Sequence, residues 1–175
     1  MSGRIRERVT LIGFMGSGKT SVGRLLARIL DLKQVDLDGV IEERERMSIN
    51  EIFKTRGEAY FRDLERAAMA EMNLREEPVV LCSGGGIVLD PRNIDAIRER
   101  GVAVWLRAAP ETIYARVCRD GSRPLLKDGM SVEKIASILE ARLPLYEKAA
   151  DLTVDTDDKT TKAIALEVME ALRRR

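Results

Sequence analysis

Short apolar runs alternate with longer amphipathic stretches along most of this chain. The short runs are typical of buried strands, and the longer stretches repeat apolar residues at helical spacing. Strands are expected at residues 9–14, 33–37, 79–83, 102–106 and 151–154. Helices are expected at residues 19–30, 40–45, 49–55, 58–74, 91–100, 110–118, 132–149 and 160–174. This alternation predicts an α/β fold whose parallel sheet is covered on both faces, with ligands outside the C-terminal ends of its strands.

A glycine-rich segment joins the first expected strand to the first expected helix. Residues 13–20 read Gly-Phe-Met-Gly-Ser-Gly-Lys-Thr and match the phosphate-binding pattern G-x-x-x-x-G-K-[ST]. Its glycines let successive N–H groups point at phosphate oxygens, and the helix N-terminus adds partial positive charge. Lys19 can reach the β- and γ-phosphates, and the Thr20 hydroxyl can ligate Mg²⁺. The chain is therefore predicted to bind a nucleoside triphosphate.

The composition of the chain excludes several classes of partner and catalytic site. The chain has 175 residues, a formal net charge of +1 and no histidine. A single domain is expected at this length, and the near-neutral charge does not favour a nucleic-acid partner. The lack of histidine excludes a His-based triad and argues against a zinc site. With no apolar stretch long enough for a membrane and no apolar signal core, a cytoplasmic protein is expected.

Two aspartates end the second expected strand, in the sequence Val35-Asp36-Leu37-Asp38. Alternate residues on a strand face the same way, so Asp36 and Asp38 can face one pocket. One could support Mg²⁺ and the other could bind a substrate hydroxyl. Taken alone, the pair is more often a solvated acidic turn.

Further segments carry candidate chemistry, although each has an ordinary interpretation by itself. Arg62 and Glu65 lie three residues apart, as in many exposed helical ion pairs. Residues 84–86 are three glycines after the third strand, where a ligand can approach the backbone closely. Residues 119–130 contain Arg123-Pro-Leu-Leu and are predicted to form a mobile lid. Residues 142–146, Arg-Leu-Pro-Leu-Tyr, belong to the helix that follows.

The order and spacing of these segments are more specific than any one of them. Together, the GFMGSGKT loop, D-L-D, G-E-x-x-F-R-x-x-E, G-G-G, R-P-L-L and R-L-P-L-Y resemble the shikimate kinases from about residue 9 to residue 160. The resemblance implies a P-loop NTPase fold like that of the nucleoside monophosphate kinases, with a five-stranded parallel sheet flanked by helices. It also implies one domain over residues 1–175, with a substrate-binding helical region at about 36–65 and a lid at about 119–130.

The resemblance implies an activity and a set of nucleotide contacts. ATP would phosphorylate the 3-hydroxyl of shikimate within aromatic amino-acid synthesis, with Mg²⁺ as cofactor, in a cytoplasmic monomer. The residues implied to hold the triphosphate are Gly16, Ser17, Gly18, Lys19, Thr20 and Ser21. Thr20 would ligate Mg²⁺ and Asp36 would support it, while Arg119 and Lys159 would lie near the adenine. Arg123 would close with the lid onto the transferring phosphoryl group, so the implied catalytic residues are Lys19, Asp38 and Arg123.

The acceptor contacts follow from the same resemblance. Asp38 would accept hydrogen bonds from shikimate hydroxyls, and Arg62 and Arg142 would clamp the carboxylate. A guanidinium suits this role because it makes paired, charge-assisted bonds to a carboxylate. Shikimate would rest against Gly84, Gly85 and Gly86, and Glu65 would orient Arg62.

Other functions are considered against these motifs. A related small-molecule kinase, such as a gluconate kinase or a nucleoside monophosphate kinase, is the main alternative, and the arginine pair with R-P-L-L argues against it. A non-catalytic ATP-binding regulator would be expected to lack Lys19, Asp38 or Arg123, and all are present. A nucleic-acid-dependent ATPase is disfavoured by the near-zero net charge.

Overall fold

The sheet is built from strands that run parallel in the order β2-β3-β1-β4-β5. The computed structural model describes residues 7–120 and 129–175. The strands in these ranges are β1 (Arg8–Ile12), β2 (Lys33–Asp36), β3 (Val79–Cys82), β4 (Gly101–Arg107) and β5 (Leu152–Asp155). A five-stranded parallel sheet is thus confirmed in the part of the chain that the structure covers.

Helices connect successive strands and cover the sheet. They are α1 (Lys19–Leu30), α2 (Leu37–Glu45), α3 (Ile49–Arg56), α4 (Glu58–Leu74), α5 (Pro91–Glu99), α6 (Pro110–Asp120), α7 (Val132–Ala149) and α8 (Thr161–Arg174). Polar N-cap residues determine where several of these helices begin, because a side-chain oxygen accepts a hydrogen bond from a free N–H of the first turn. Ser48 and Glu51 form a capping box at α3, and the Ser131 side chain caps α7.

Alternating strand residues divide the core between the two faces of the sheet. On one face, Val104 and neighbouring strand residues pack with Leu26 of α1 and Val168 of α8. On the other face, Trp105 packs with Met69 of α4 and Tyr146 of α7. The Trp105 and Tyr146 rings stack with centroids 5.4 Å apart. Helices therefore cover both faces, and none of those in the described ranges is long and apolar enough to cross a membrane.

The start of α2 differs from the sequence prediction. The helix begins at Leu37 rather than at residue 40, so Asp38 lies in its first turn and not on a strand. The argument that Asp36 and Asp38 share a strand face is therefore wrong. Asp36 ends β2 and caps α2, accepting a 3.4 Å hydrogen bond from the Gly39 N–H. Burial of Leu37 fixes the turn, and an acidic residue suits the positive N-terminus of the helix.

The predicted lid at residues 119–130 is described only at its two ends. Arg119 and Asp120 belong to the last turn of α6 instead of a loop. Residues 121–128, which include Arg123, lie outside the described residues.

Candidate active site

A cleft of about 1670 Å³ opens at the C-terminal ends of the strands, where ligands are expected. The segments that line it follow β1, β2, β3 and β5, together with parts of α3, α4, α6 and α7. The sequence-predicted site residues found in its walls are Gly16, Gly18, Lys19, Thr20, Ser21, Asp36, Asp38, Arg62, Gly84, Gly85, Gly86, Arg119, Arg142 and Lys159. Ser17 is fully buried beneath the loop.

The phosphate-binding loop leads directly from β1 into α1. Gly16 and Gly18 have φ angles of 74° and 98°, which favour glycine because they lie in the left-handed region. The Lys19 ammonium turns back onto its own loop, donating to the carbonyl oxygens of Gly13 at 2.7 Å and Phe14 at 2.9 Å. The loop thus holds the Lys19 ammonium near the N-terminus of α1, where phosphates bind in loops of this kind.

Thr20 and Asp36 form the candidate magnesium position. The Thr20 hydroxyl donates to Oδ2 of Asp36 at 2.9 Å, so the two predicted metal-supporting oxygens are adjacent. In the described ranges, no group of three or more His, Cys, Asp or Glu residues could hold a metal ion. Mg²⁺ is commonly bound by one or two protein oxygens plus phosphates and water, and the Thr20 and Asp36 oxygens could supply the protein part of such a site.

Arg116 of α6 braces the phosphate-binding loop, and the sequence analysis missed it. Its guanidinium donates to the carbonyl oxygens of Gly16 and Ser17, both at 3.3 Å. It also donates to the carbonyl oxygen of Thr156, just beyond β5, at 2.8 Å. These partners lie 40 to 100 residues away along the chain, so no local pattern indicates them. Arg116 also lines the cleft, one helical turn before Arg119.

Arg62 projects from α4 into the other half of the cleft. Its guanidinium donates to Oε2 of Glu65 at 2.8 Å and to Oε1 of Glu58 at 3.1 Å. The Glu65 side chain is fully buried, and this burial raises the pKa of its carboxyl above the ordinary 4.5, although Arg62 opposes the shift. The contact with Glu65 fixes one edge of the Arg62 guanidinium.

The glycine turn after β3 brings the acceptor-side residues together. A Cβ at Gly86 would lie 2.7 Å from Cζ of Arg62, so a larger residue there would displace that guanidinium from its position. Arg142 donates to the Gly85 carbonyl oxygen at 3.3 Å. Arg142 and Arg62 therefore contact two successive residues of one turn, Gly85 and Gly86.

Tyr146, a residue that the sequence analysis did not place in the site, fixes the same turn. Its hydroxyl donates to the Gly85 carbonyl oxygen at 2.6 Å. Burial raises the pKa of Tyr146 to about 12, so the phenol stays protonated and can donate this bond. A Cβ at Gly84 would lie 2.8 Å from Oδ1 of Asp38, so the turn also abuts the predicted hydroxyl-binding carboxylate.

Phe53 adds an apolar surface to the cleft. Its ring packs on that of Phe61 with centroids 4.8 Å apart. It also lines the cleft and is 36% exposed. The acceptor half therefore combines cations, one exposed aromatic surface and a bare backbone turn.

Comparison with known proteins decides the family. The family model described as shikimate kinase matches residues 15–173. The chain belongs to the shikimate kinase family. A shikimate kinase of Moorella thermoacetica is 45% identical over 165 residues, covering 94% of each chain. One of Sulfurihydrogenibium sp. is 39% identical over 169 residues, covering 97% of this chain and 99% of its own.

Solved structures agree with the family assignment. The shikimate kinase from Acinetobacter baumannii, solved in complex with shikimate, superposes with a TM-score of 0.90 at 32% identity, covering 98% of this chain and 95% of its own. A gluconokinase from Sinorhizobium meliloti superposes with a TM-score of 0.60 at 15% identity, which shows the shared fold alone. The predicted family and the predicted P-loop kinase fold are both confirmed.

Proposed function

We propose that this shikimate kinase family member transfers the γ-phosphoryl group of ATP to the 3-hydroxyl of shikimate. The products are 3-phosphoshikimate and ADP, on the route to aromatic amino acids. Family membership supports the reaction class and the acceptor. The residue roles, the Mg²⁺ requirement and the position of transfer belong to the proposal.

The observation that carries the proposal is the pair of guanidinium groups on one glycine turn. Arg62 lies against Gly86 and Arg142 donates to Gly85. The turn is packed against the phosphate-binding loop, because a Cβ at Gly85 would lie 3.1 Å from the Met15 nitrogen. Two guanidinium groups bind one carboxylate with paired, charge-assisted bonds. Shikimate has one carboxylate, and binding it there holds the ring beside the phosphates.

Asp38 selects the hydroxyl end of the acceptor. It lies in the first turn of α2 and abuts Gly84, the residue next to the carboxylate-binding part of the turn. Its carboxylate accepts hydrogen bonds from shikimate hydroxyls and orients the attacking oxygen. It is also the best placed group to take the proton of that oxygen.

Phosphoryl transfer itself depends on cations more than on a strong base. The transition state is loose and spreads negative charge over the phosphoryl oxygens. Lys19 exchanges its bonds to the Gly13 and Phe14 carbonyls for bonds to the phosphates, which residues 16–21 hold. Thr20 and Asp36 would hold Mg²⁺, which would neutralise phosphate charge when bound. Arg123, proposed from the sequence alone, contacts the transferring group.

The remaining parts of the proposal concern the adenine contacts, the cellular location and the oligomeric state. Arg119 and Lys159 line the cleft and are proposed to lie near the adenine. In the structure Lys159, just before α8, donates to Glu167 in the middle of that helix at 2.6 Å. We place the enzyme in the cytoplasm as a monomer of one domain, acting on small molecules without a nucleic-acid or membrane partner.

The test is acceptor-dependent ADP release from MgATP. Shikimate, gluconate and no acceptor are run side by side with the wild-type protein and with Lys19→Met, which removes the phosphate-binding cation. We expect turnover with shikimate only, and its loss in Lys19→Met. Equal ADP release without acceptor, or faster release with gluconate, would contradict the proposed acceptor.

A further inference from the structure

Phe14 is a residue of the phosphate-binding loop that phosphate binding does not require. The pattern G-x-x-x-x-G-K-[ST] leaves its position open. Its side chain is only 2% exposed and packs in a cluster with Ile113 and Val117 of α6 and Ile135 of α7. The Phe14 side chain therefore makes its contacts with the protein interior and not with the phosphates.

The guanidinium of Arg142 lies over the face of the Phe14 ring. Cζ of Arg142 lies 5.5 Å from the ring centroid, within the range of a cation–π contact. A guanidinium lying on a ring keeps its N–H groups pointing outward at its edge, where a carboxylate can accept them. One of these groups already donates to the Gly85 carbonyl oxygen at 3.3 Å.

The two arginines on the glycine turn differ in what fixes them. Arg62 pairs with the carboxylates of Glu58 and Glu65. Arg142 has no carboxylate at salt-bridge distance within residues 7–120 and 129–175. Its guanidinium contacts the Phe14 ring, the Gly85 carbonyl oxygen and the Tyr146 hydroxyl, and the Glu65 carboxylate acts on it only from beyond ion-pair distance. More of its positive charge is therefore available to an incoming anion than that of Arg62.

We propose that Phe14 is a positioning residue for the acceptor: its ring seats Arg142 so that the free edge of the guanidinium meets the carboxylate. The inference rests on the proposed function for the identity of that acceptor. Phe14 also accepts a 2.9 Å hydrogen bond from Lys19 through its carbonyl oxygen. One residue therefore contacts both the nucleotide-side cation and the acceptor-side cation, the first through its main chain and the second through its ring.

The first test is Phe14→Leu, which keeps an apolar side chain but removes the ring face. We expect the Kd and KM for shikimate to rise between about twofold and thirtyfold, as loss of a cation–π contact implies. The ADP affinity should change less than twofold. Ile113→Val, which trims the same apolar cluster without touching Arg142, is the matched control and should leave the shikimate KM unchanged.

A second variant separates ring electronics from packing. A ring-fluorinated phenylalanine at position 14 keeps the shape but withdraws electron density from the ring face, so it should also weaken shikimate binding. An unchanged shikimate Kd in the fluorinated protein, or equal effects of Phe14→Leu and Ile113→Val, would overturn the inference. Absence of any wild-type turnover with shikimate would overturn the proposed function and this inference together, which distinguishes that failure from the others.

Discussion

Replacement of Arg62 by lysine tests the carboxylate clamp most sharply. The lysine keeps the positive charge but has one nitrogen where Arg62 directs separate N–H groups to Glu65 and Glu58. Its single ammonium must choose between the buried Glu65 carboxylate and the substrate. We expect it to stay with Glu65, because an unpaired buried carboxylate is costly.

The size of the effect follows from the bonds that the substrate loses. A hydrogen bond to a charged group contributes about 1.5–3 kcal/mol, so the shikimate KM should rise about tenfold to a hundredfold. The KM for ATP should change little, since the phosphate-binding loop does not contact this side chain. If the lysine leaves Glu65 poorly paired, the cost of about 1–3 kcal/mol would lower the melting temperature by several degrees.

The assay is steady-state kinetics with each substrate varied in turn, alongside thermal unfolding. The control is Arg66→Lys, one turn further along α4. Arg66 also pairs with a carboxylate three residues away, Asp63, at 2.7 Å, but it does not line the cleft. The control should leave both KM values within about twofold of wild type. A normal shikimate KM in Arg62→Lys would refute the clamp.

Other perturbations separate the remaining parts of the site. Arg116→Lys should raise the ATP KM about tenfold and spare the shikimate KM, because its bonds to the Gly16, Ser17 and Thr156 carbonyls all lie on the nucleotide side of the cleft; equal changes in both would refute this. Thr20→Val should raise the Mg²⁺ concentration needed for half-maximal rate about tenfold, and an unchanged Mg²⁺ titration would count against the predicted ligand. Glu65→Gln tests burial: because the folded-state pKa of Glu65 is raised above 4.5, its contribution to stability is present below that pH and is lost as pH rises through the folded pKa. Urea unfolding should therefore show the stability of wild type falling relative to Glu65→Gln over that rise, and a constant difference would refute the assignment.

Local patterns predict most of the secondary structure because the signals are local. The capping box at Ser48 and the helical spacing of α1 and α7 need no tertiary information, and those two helices have the predicted bounds. The boundary at Asp36 and Leu37 was misplaced for a physical reason. Asp36 is both the last residue of β2 and the N-cap of α2. No turn residues separate the strand from the helix, so the sequence does not mark where one ends and the other begins.

Some residues of the candidate site could be predicted from the sequence, and others could not. Motif spacing indicates residues whose chemistry is explicit in the chain, such as Lys19 and Arg62. It does not indicate Arg116 or Tyr146, because each acts by donating to a main-chain carbonyl that folding brings near from a distant part of the sequence. A carbonyl acceptor exists at every residue and leaves no compositional signal.

In the proposed reaction the phosphoryl group is transferred to the 3-hydroxyl of shikimate. The most direct measurement is the structure of the product itself, from mass spectrometry and phosphorus–carbon coupling in the NMR spectrum of carbon-labelled shikimate after turnover with MgATP. We expect a product one phosphate heavier than shikimate, with coupling at the carbon that carries the 3-hydroxyl. A phosphoester at another hydroxyl, or no phosphorylated shikimate from folded, ATP-binding protein, would contradict it.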